Sequence, residues 1–161
     1  MPRRFGLHTE ELGRVTHVLL GSAVGADLAQ RCETDTEEFC GGLYGTVEGA
    51  LVVVSNWYAR PASASQDQFT VRLDDLLLGF PNRPGLRFLG IVHSHAHGPP
   101  VPSQFDLYYS GLAPWIWMIV GKTRGPLPSF CAFAGSGLSR SISVVFARPE
   151  RARCFLHERG P

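Results

Sequence analysis

His93-Ser94-His95, followed after ten residues by Asp106, is the part of this 161-residue chain whose residue types suit chemistry. Imidazole nitrogens and a carboxylate oxygen are zinc ligands. A zinc site with three protein ligands keeps one position open, the arrangement of a catalytic rather than a structural site. If His93 and His95 end a strand, both project from one face, because side chains at i and i+2 of a strand do so, and Ser94 points the other way. Asp106 lies three residues past Ser103, which is expected to cap a helix running from Ser103 to Leu112. Residues 96–102 hold one glycine and three prolines, so the loop joining strand to helix is constrained. A hydrolytic site of this kind also needs a base. Glu33, Glu37, Glu38 and Glu48 all lie upstream, and spacing alone does not choose among them.

Positioning these groups requires a mixed α/β domain. Leu86 to His95 has the apolar pattern of a buried strand. Gly42–Val47 and Ala50–Trp57, separated by Glu48-Gly49, read as a hairpin. Further strands are expected at Phe69 to Val71, Trp115 to Gly121, Ser129 to Ala134 and Ser141 to Phe146. Thr9 to Arg31 reads as one helix, capped by Thr9, with apolar residues at Leu12, Val15, Leu19, Val24 and Leu28. Gly13, Gly21 and Gly25 weaken it. A short helix is expected from Asp74 to Phe80, ended by Pro81. The result is a single domain over 1–161, with its core at about 7–146 and a tail at 147–161. Helices lie on a curved, largely antiparallel sheet.

Composition excludes several functions. Hydrophobic residues make up 44% and charged residues 18%, which is a globular profile. The net charge of +1 gives no electrostatic case for nucleic acid or an anionic membrane. No apolar signal core follows Arg3 and Arg4, and no apolar run of about 18 residues occurs. A cytoplasmic protein is expected, with Cys32, Cys40, Cys131 and Cys154 as reduced thiols. No Cys-x-x-Cys pair or Gly-x-Ser-x-Gly elbow is present, and Gly41 to Gly45 lacks the ending of a phosphate loop. His97 reads as an exposed loop residue and Cys40 as a packing residue.

The metal constellation resembles the JAMM motif of the JAB1/MPN/Mov34 zinc metalloprotease family. That motif is a glutamate far upstream, then His-x-His, ten residues and an aspartate, ending in Ser-x-x-Asp, here Ser103-Gln104-Phe105-Asp106. Glu38-Phe39-Cys40-Gly41-Gly42-Leu43 is similar to the family's Glu-x-Cys-Gly segment. Gly90-Ile91-Val92 leads into the histidines as the family's strand does. The resemblance implies a bacterial-type single-domain member with the MPN/JAB1, cytidine-deaminase-like fold. It implies that His93, His95 and Asp106 ligate Zn2+, that Glu38 is the general base and then acid, and that Ser103 helps stabilise an oxyanion. It further implies cleavage of the bond after the C-terminal glycine of a ubiquitin-like or sulfur-carrier protein, and a fold compatible with a homodimer. The chain departs from the family pattern at Ala96, where proline is usual, and at Gly42, where a larger apolar residue is common. The alternatives are a non-catalytic MPN scaffold that binds protein, and a zinc hydrolase of another amide.

Overall fold

Gly49 takes φ +62°, a backbone conformation that only glycine adopts freely, and the chain doubles back there. The turn joins β2 (Cys40–Glu48) to β3 (Leu51–Arg60) in the expected hairpin. The computed structural model describes residues 6–60, 63–65, 68–70, 85–111, 113–134 and 140–148. The expected helix at 74–80 and Cys154 lie outside them.

Besides β2 and β3, the described strands are β1 (His17–Leu20), β4 (Ser63–Ser65), β5 (Gln68–Thr70), β6 (Arg87–His95), β7 (Ile116–Gly121), β8 (Ser129–Ala134) and β9 (Arg140–Phe146). β4 and β5 form a small separate ladder. The other seven close into a barrel in the order β1-β3-β2-β6-β7-β8-β9, with β9 returning to β1. The expected curvature therefore reaches full closure. Register shifts in β2, at Tyr44/Gly45 against β3 and at Leu43/Tyr44 against β6, supply part of the bend. β1 runs parallel to both of its neighbours and β6 runs parallel to β7, while the remaining barrel pairs are antiparallel. A parallel β6–β7 pair needs a crossover, and the chain between them carries α3 (Gln104–Ser110).

The expected single helix over 9–31 is instead α1 (Thr9–Arg14), β1 and α2 (Ser22–Thr34). Leu12, Val15 and Leu19 share a helical spacing, but Val18 and Leu20 alternate with exposed His17 and half-buried Leu19, as in a half-buried strand. The parallel register of His17–Leu20 against Leu51–Val54 outweighs local propensity here. The N-cap of α1 is His8 rather than Thr9, and its N–H donates to Glu11 Oε2 at 2.9 Å. The main core joins Val18, Leu20, Leu28, Leu43, Val52, Leu89 and Met118, among others. A second cluster of Cys40, Tyr44, Phe88, Ile91 and Trp117 covers another face. Trp117 therefore packs in a core. No helix among the described residues is long and apolar enough to cross a membrane.

Two arginines fasten α1 to the strands. Arg87, at the start of β6, grips Glu11 with two nitrogens at 3.0 and 2.9 Å and reaches Gly6 O at 2.7 Å. Arg140, at the start of β9, donates to Leu12 O at 2.6 Å and to Val15 O, satisfying carbonyls where α1 ends. The Arg87 hydrogen bonds hold the Glu11 carboxyl at about 2, below its ordinary 4.5. Because the folded-state value is depressed, this stability is present in full above pH 4.5 and is lost as pH falls toward 2. Arg87→Gln is expected to cost about 1–2 kcal/mol at pH 7, discounted for solvent screening of a partly exposed pair. As Glu11 protonates near pH 2 the loss should shrink toward that of the Arg87–Gly6 hydrogen bond alone, which urea titrations of both proteins at a series of pH values would measure.

Candidate metal centre

β6 ends at the site. His93 and His95 continue the face of Ile91, and Ser94 continues the face of Val92 toward the main core. The crossover then returns through α3, whose first turn carries Asp106. His93 Nε2 lies 2.9 Å from Asp106 Oδ1, and His95 Nε2 lies 3.5 Å from Asp106 Oδ2. One ligand atom from each residue falls within 4.8 Å of the others. The three expected ligands therefore converge.

The loop is held by several bonds. Gly98 N–H donates to His95 O at 3.5 Å, Val101 N–H to Pro99 O at 2.8 Å and Lys122 N–H to Gly98 O at 2.8 Å. β7 passes so close that a Cβ at Gly121 would lie 2.5 Å from Pro100 N, so a side chain there would push the loop away. Ala96 is buried within this loop. The loop is thus fastened without the proline usual at that position. Gly42 has an equally local explanation: the Tyr44 ring occupies the space a side chain there would need, at 2.9 Å from its Cβ position.

The donor set fits zinc. His95 Nδ1 contacts Pro99 O at 2.9 Å. A carbonyl only accepts, so Nδ1 carries the proton and Nε2 is left as the ligand atom facing Asp106. Ligands of a tetrahedral zinc at about 2.0–2.1 Å stand roughly 3.3 Å apart, between the 2.9 and 3.5 Å seen here. Burial alone would raise the Asp106 pKa, but hydrogen bonds from His93 and His95 hold the carboxyl well below the usual carboxylate range. The hydrogen bond to Asp106, with a smaller contribution from Glu38, raises His95 above its ordinary 6.5. A proton on His95 Nε2 competes with the metal. Zinc affinity is therefore expected to fall, by about tenfold per pH unit for each proton displaced, as pH drops through that raised value. Competition titrations with a chromophoric chelator between pH 5 and 8 would show it.

The Glu38 segment is brought to the same place. β2 pairs with β6 through Cys40 and His93. Phe39, next to Glu38, packs with the Trp57 ring at 5.5 Å and the Arg31 guanidinium at 5.4 Å, and Arg31 itself lies 5.2 Å from the Trp57 ring. Trp57 Nε1 in turn donates to Asp27 on α2 at 2.6 Å. Glu38 itself is exposed, and its charge acts on His95. Glu33 lies at the end of α2, Glu37 is exposed beside Glu38, and Glu48 closes β2 at the far end of the strand.

Ser103 is exposed and takes part in a reciprocal cap. Its N–H donates to Asp106 Oδ2 at 2.7 Å, while Asp106 N–H donates to its Oγ at 3.3 Å. Asp106 therefore caps the helix and remains in the ligand cluster. Ser103 Oγ only accepts in this bond, so capping does not consume its hydroxyl proton. His97 is exposed and stands outside the ligand cluster. Cys32, Cys40 and Cys131 are free thiols, and burial pushes each of their pKa values up, the opposite of an activated nucleophile.

The sequence profile of the prokaryotic homologues of the JAB domain matches residues 22–132, which include Glu38, both histidines, Ser103 and Asp106. The chain belongs to this family. No curated protein matches the chain. Among solved structures, this JAB-domain chain is similar to protein DSY2949 from Desulfitobacterium hafniense, at 18% identity and a TM-score of 0.70, covering 82% of this chain and 94% of that one. It is also similar to AF2198, a JAB1/MPN domain protein from Archaeoglobus fulgidus, at 18% identity and 0.51, covering 78% and 97%. A third structure, described as a JAMM metalloprotease-like zinc site in the proteasome and signalosome, matches at 14% identity and 0.51, covering 83% and 100%. At these identities the structures establish the JAB/MPN fold.

The residues that sequence reasoning missed are those that hold the site: Pro99 O, the Arg31–Trp57–Phe39 cluster, and the Ser94 hydroxyl, which accepts the Phe39 N–H. Ser94 between two histidines was the one available signal, and its partner emerges only from the β2–β6 register.

Proposed function

We propose that this JAB-domain chain is a zinc-dependent peptidase or isopeptidase. It hydrolyses the bond after the C-terminal glycine of a ubiquitin-like or sulfur-carrier protein in the cytoplasm. The observation that carries this reading is the convergence of His93, His95 and Asp106, with the Glu38 segment paired alongside. Those three residues would hold the zinc, which would supply Lewis acidity and acidify the attacking water. Glu38, exposed and within electrostatic reach of His95, takes up a proton and returns it to the leaving amine. The Ser103 hydroxyl donates to the oxygen that gains charge as the carbonyl is attacked.

A protein substrate is favoured over a small amide by the surface beside Asp106. Val101, Phe105, Leu107 and Tyr108 are all exposed within eight residues of sequence. Phe105 and Tyr108, three apart on α3, share one side of the helix, and exposed apolar neighbours of this kind suit a macromolecular contact. The scaffold reading requires no intact ligand set, whereas every position of the motif is filled here.

The test is a panel of ubiquitin, ubiquitin-like and sulfur-carrier proteins, each fused through its terminal glycine to a reporter peptide. After incubation with the zinc-loaded chain, mass spectrometry should find products ending at that glycine. Zinc-loaded protein that leaves the whole panel intact would favour the scaffold.

A further inference from the structure

We infer that Ser94 is a positioning residue, whose hydroxyl sets where the Glu38 segment leaves the sheet; this rests on the reading of Glu38 as the base. β2 and β6 pair through Cys40 and His93, and one step further Phe39 faces Ser94. A regular antiparallel pair there would exchange two backbone bonds. Ser94 N–H does donate to Phe39 O at 3.0 Å. The return bond runs differently: Phe39 N–H donates to Ser94 Oγ, at 2.9 Å. A side-chain hydroxyl stands where a strand would use a carbonyl, and β2 begins only at Cys40. The chain peels off at Phe39, and Glu38 is exposed next to it.

The bond is buried on both sides, with Ser94 at 1% and Phe39 at 6% exposure. Water cannot readily replace the hydroxyl, and a buried N–H that loses its acceptor must find another or remain unpaired. Either outcome moves the backbone next to Glu38. The middle residue of the histidine pair thus acts away from the metal side, tying the base segment to the strand that carries two ligands. A base displaced by about 1 Å loses up to roughly 100-fold in rate.

The test uses Ser94→Ala, Ser94→Thr and Ser94→Val in the full chain. Thr and Val have the same shape and differ only in the hydroxyl, so that comparison holds even if S94A does not fold. S94A and S94V should keep wild-type zinc content and KM, lower kcat by up to about 100-fold, and lose hydrogen-exchange protection at the Phe39 amide. S94T should retain both kcat and protection. Combined with Glu38→Gln, S94V should add little further loss, because both changes act through one group. Equal kcat for S94T and S94V, full additivity with E38Q, or zinc loss in proportion to kcat would overturn the inference. If the wild-type chain cleaves nothing, the functional reading has failed. The Phe39 amide and the Glu38 carboxyl NMR shift then decide the Ser94 inference: both unmoved in S94V would overturn it, and both displaced would support it.

Discussion

Glu38→Gln should lower kcat for a glycine-ended ubiquitin-like fusion by about 10²–10⁴-fold, the contribution of a positioned general base. Zinc content, KM and melting temperature should stay close to wild type. The separation of effects follows from where Glu38 sits. It is exposed and outside the cluster of His93, His95 and Asp106, so its loss removes no metal ligand. Gln has nearly the same volume and leaves the cluster of Phe39, Arg31 and Trp57 in place. What disappears is a carboxylate able to hold a proton. Steady-state kinetics alongside metal analysis would measure both halves, and a zinc-loaded E38Q with undiminished turnover would remove Glu38 as the base.

Asp106→Ala should behave differently, losing metal, activity and some stability together. Its carboxylate lies 2.9 Å from His93 Nε2 and 3.5 Å from His95 Nε2, so two imidazoles alone would remain. Zinc affinity should fall by more than the roughly 10–100-fold typical of losing an outer-shell partner. The same carboxylate accepts Ser103 N–H at 2.7 Å, and removing this cap should cost about 0.5–2 kcal/mol. Isothermal titration with zinc and thermal melts of the metal-free proteins would separate the two. Ser103→Ala provides the control: it removes the hydroxyl side of the cap at 3.3 Å and leaves the metal ligands intact.

These variants probe residues that were legible in sequence because chemistry restricts them. Few structural needs explain His93, His95, Asp106 and an upstream glutamate together, and the structure brings one candidate ligand atom from each of the three within 4.8 Å of the others. The hairpin at Gly49 and the strands from Arg87 onward were legible as well, since turn chemistry and continuous apolar runs are local signals. What was not legible depends on long-range pairing. His17–Leu20 is a strand because Leu51–Val54 and Ser143–Phe146 flank it, and no local pattern announces either partner. Barrel closure rests partly on irregularities in β2 that no residue type signals. Capping and chemistry are compatible at Ser103 and Asp106, because Asp106 has two oxygens and a hydroxyl can accept and donate at once.

The proposed hydrolysis depends above all on His93, His95 and Asp106 holding the metal. The direct measurement is cleavage of a glycine-ended ubiquitin-like or sulfur-carrier fusion by the same protein sample as isolated, after chelation, and after return of one equivalent of zinc. Cleavage should vanish with the chelator and return with zinc. Cleavage that persists in verified metal-free protein, or its absence across the panel from a fully zinc-loaded and folded chain, would contradict it.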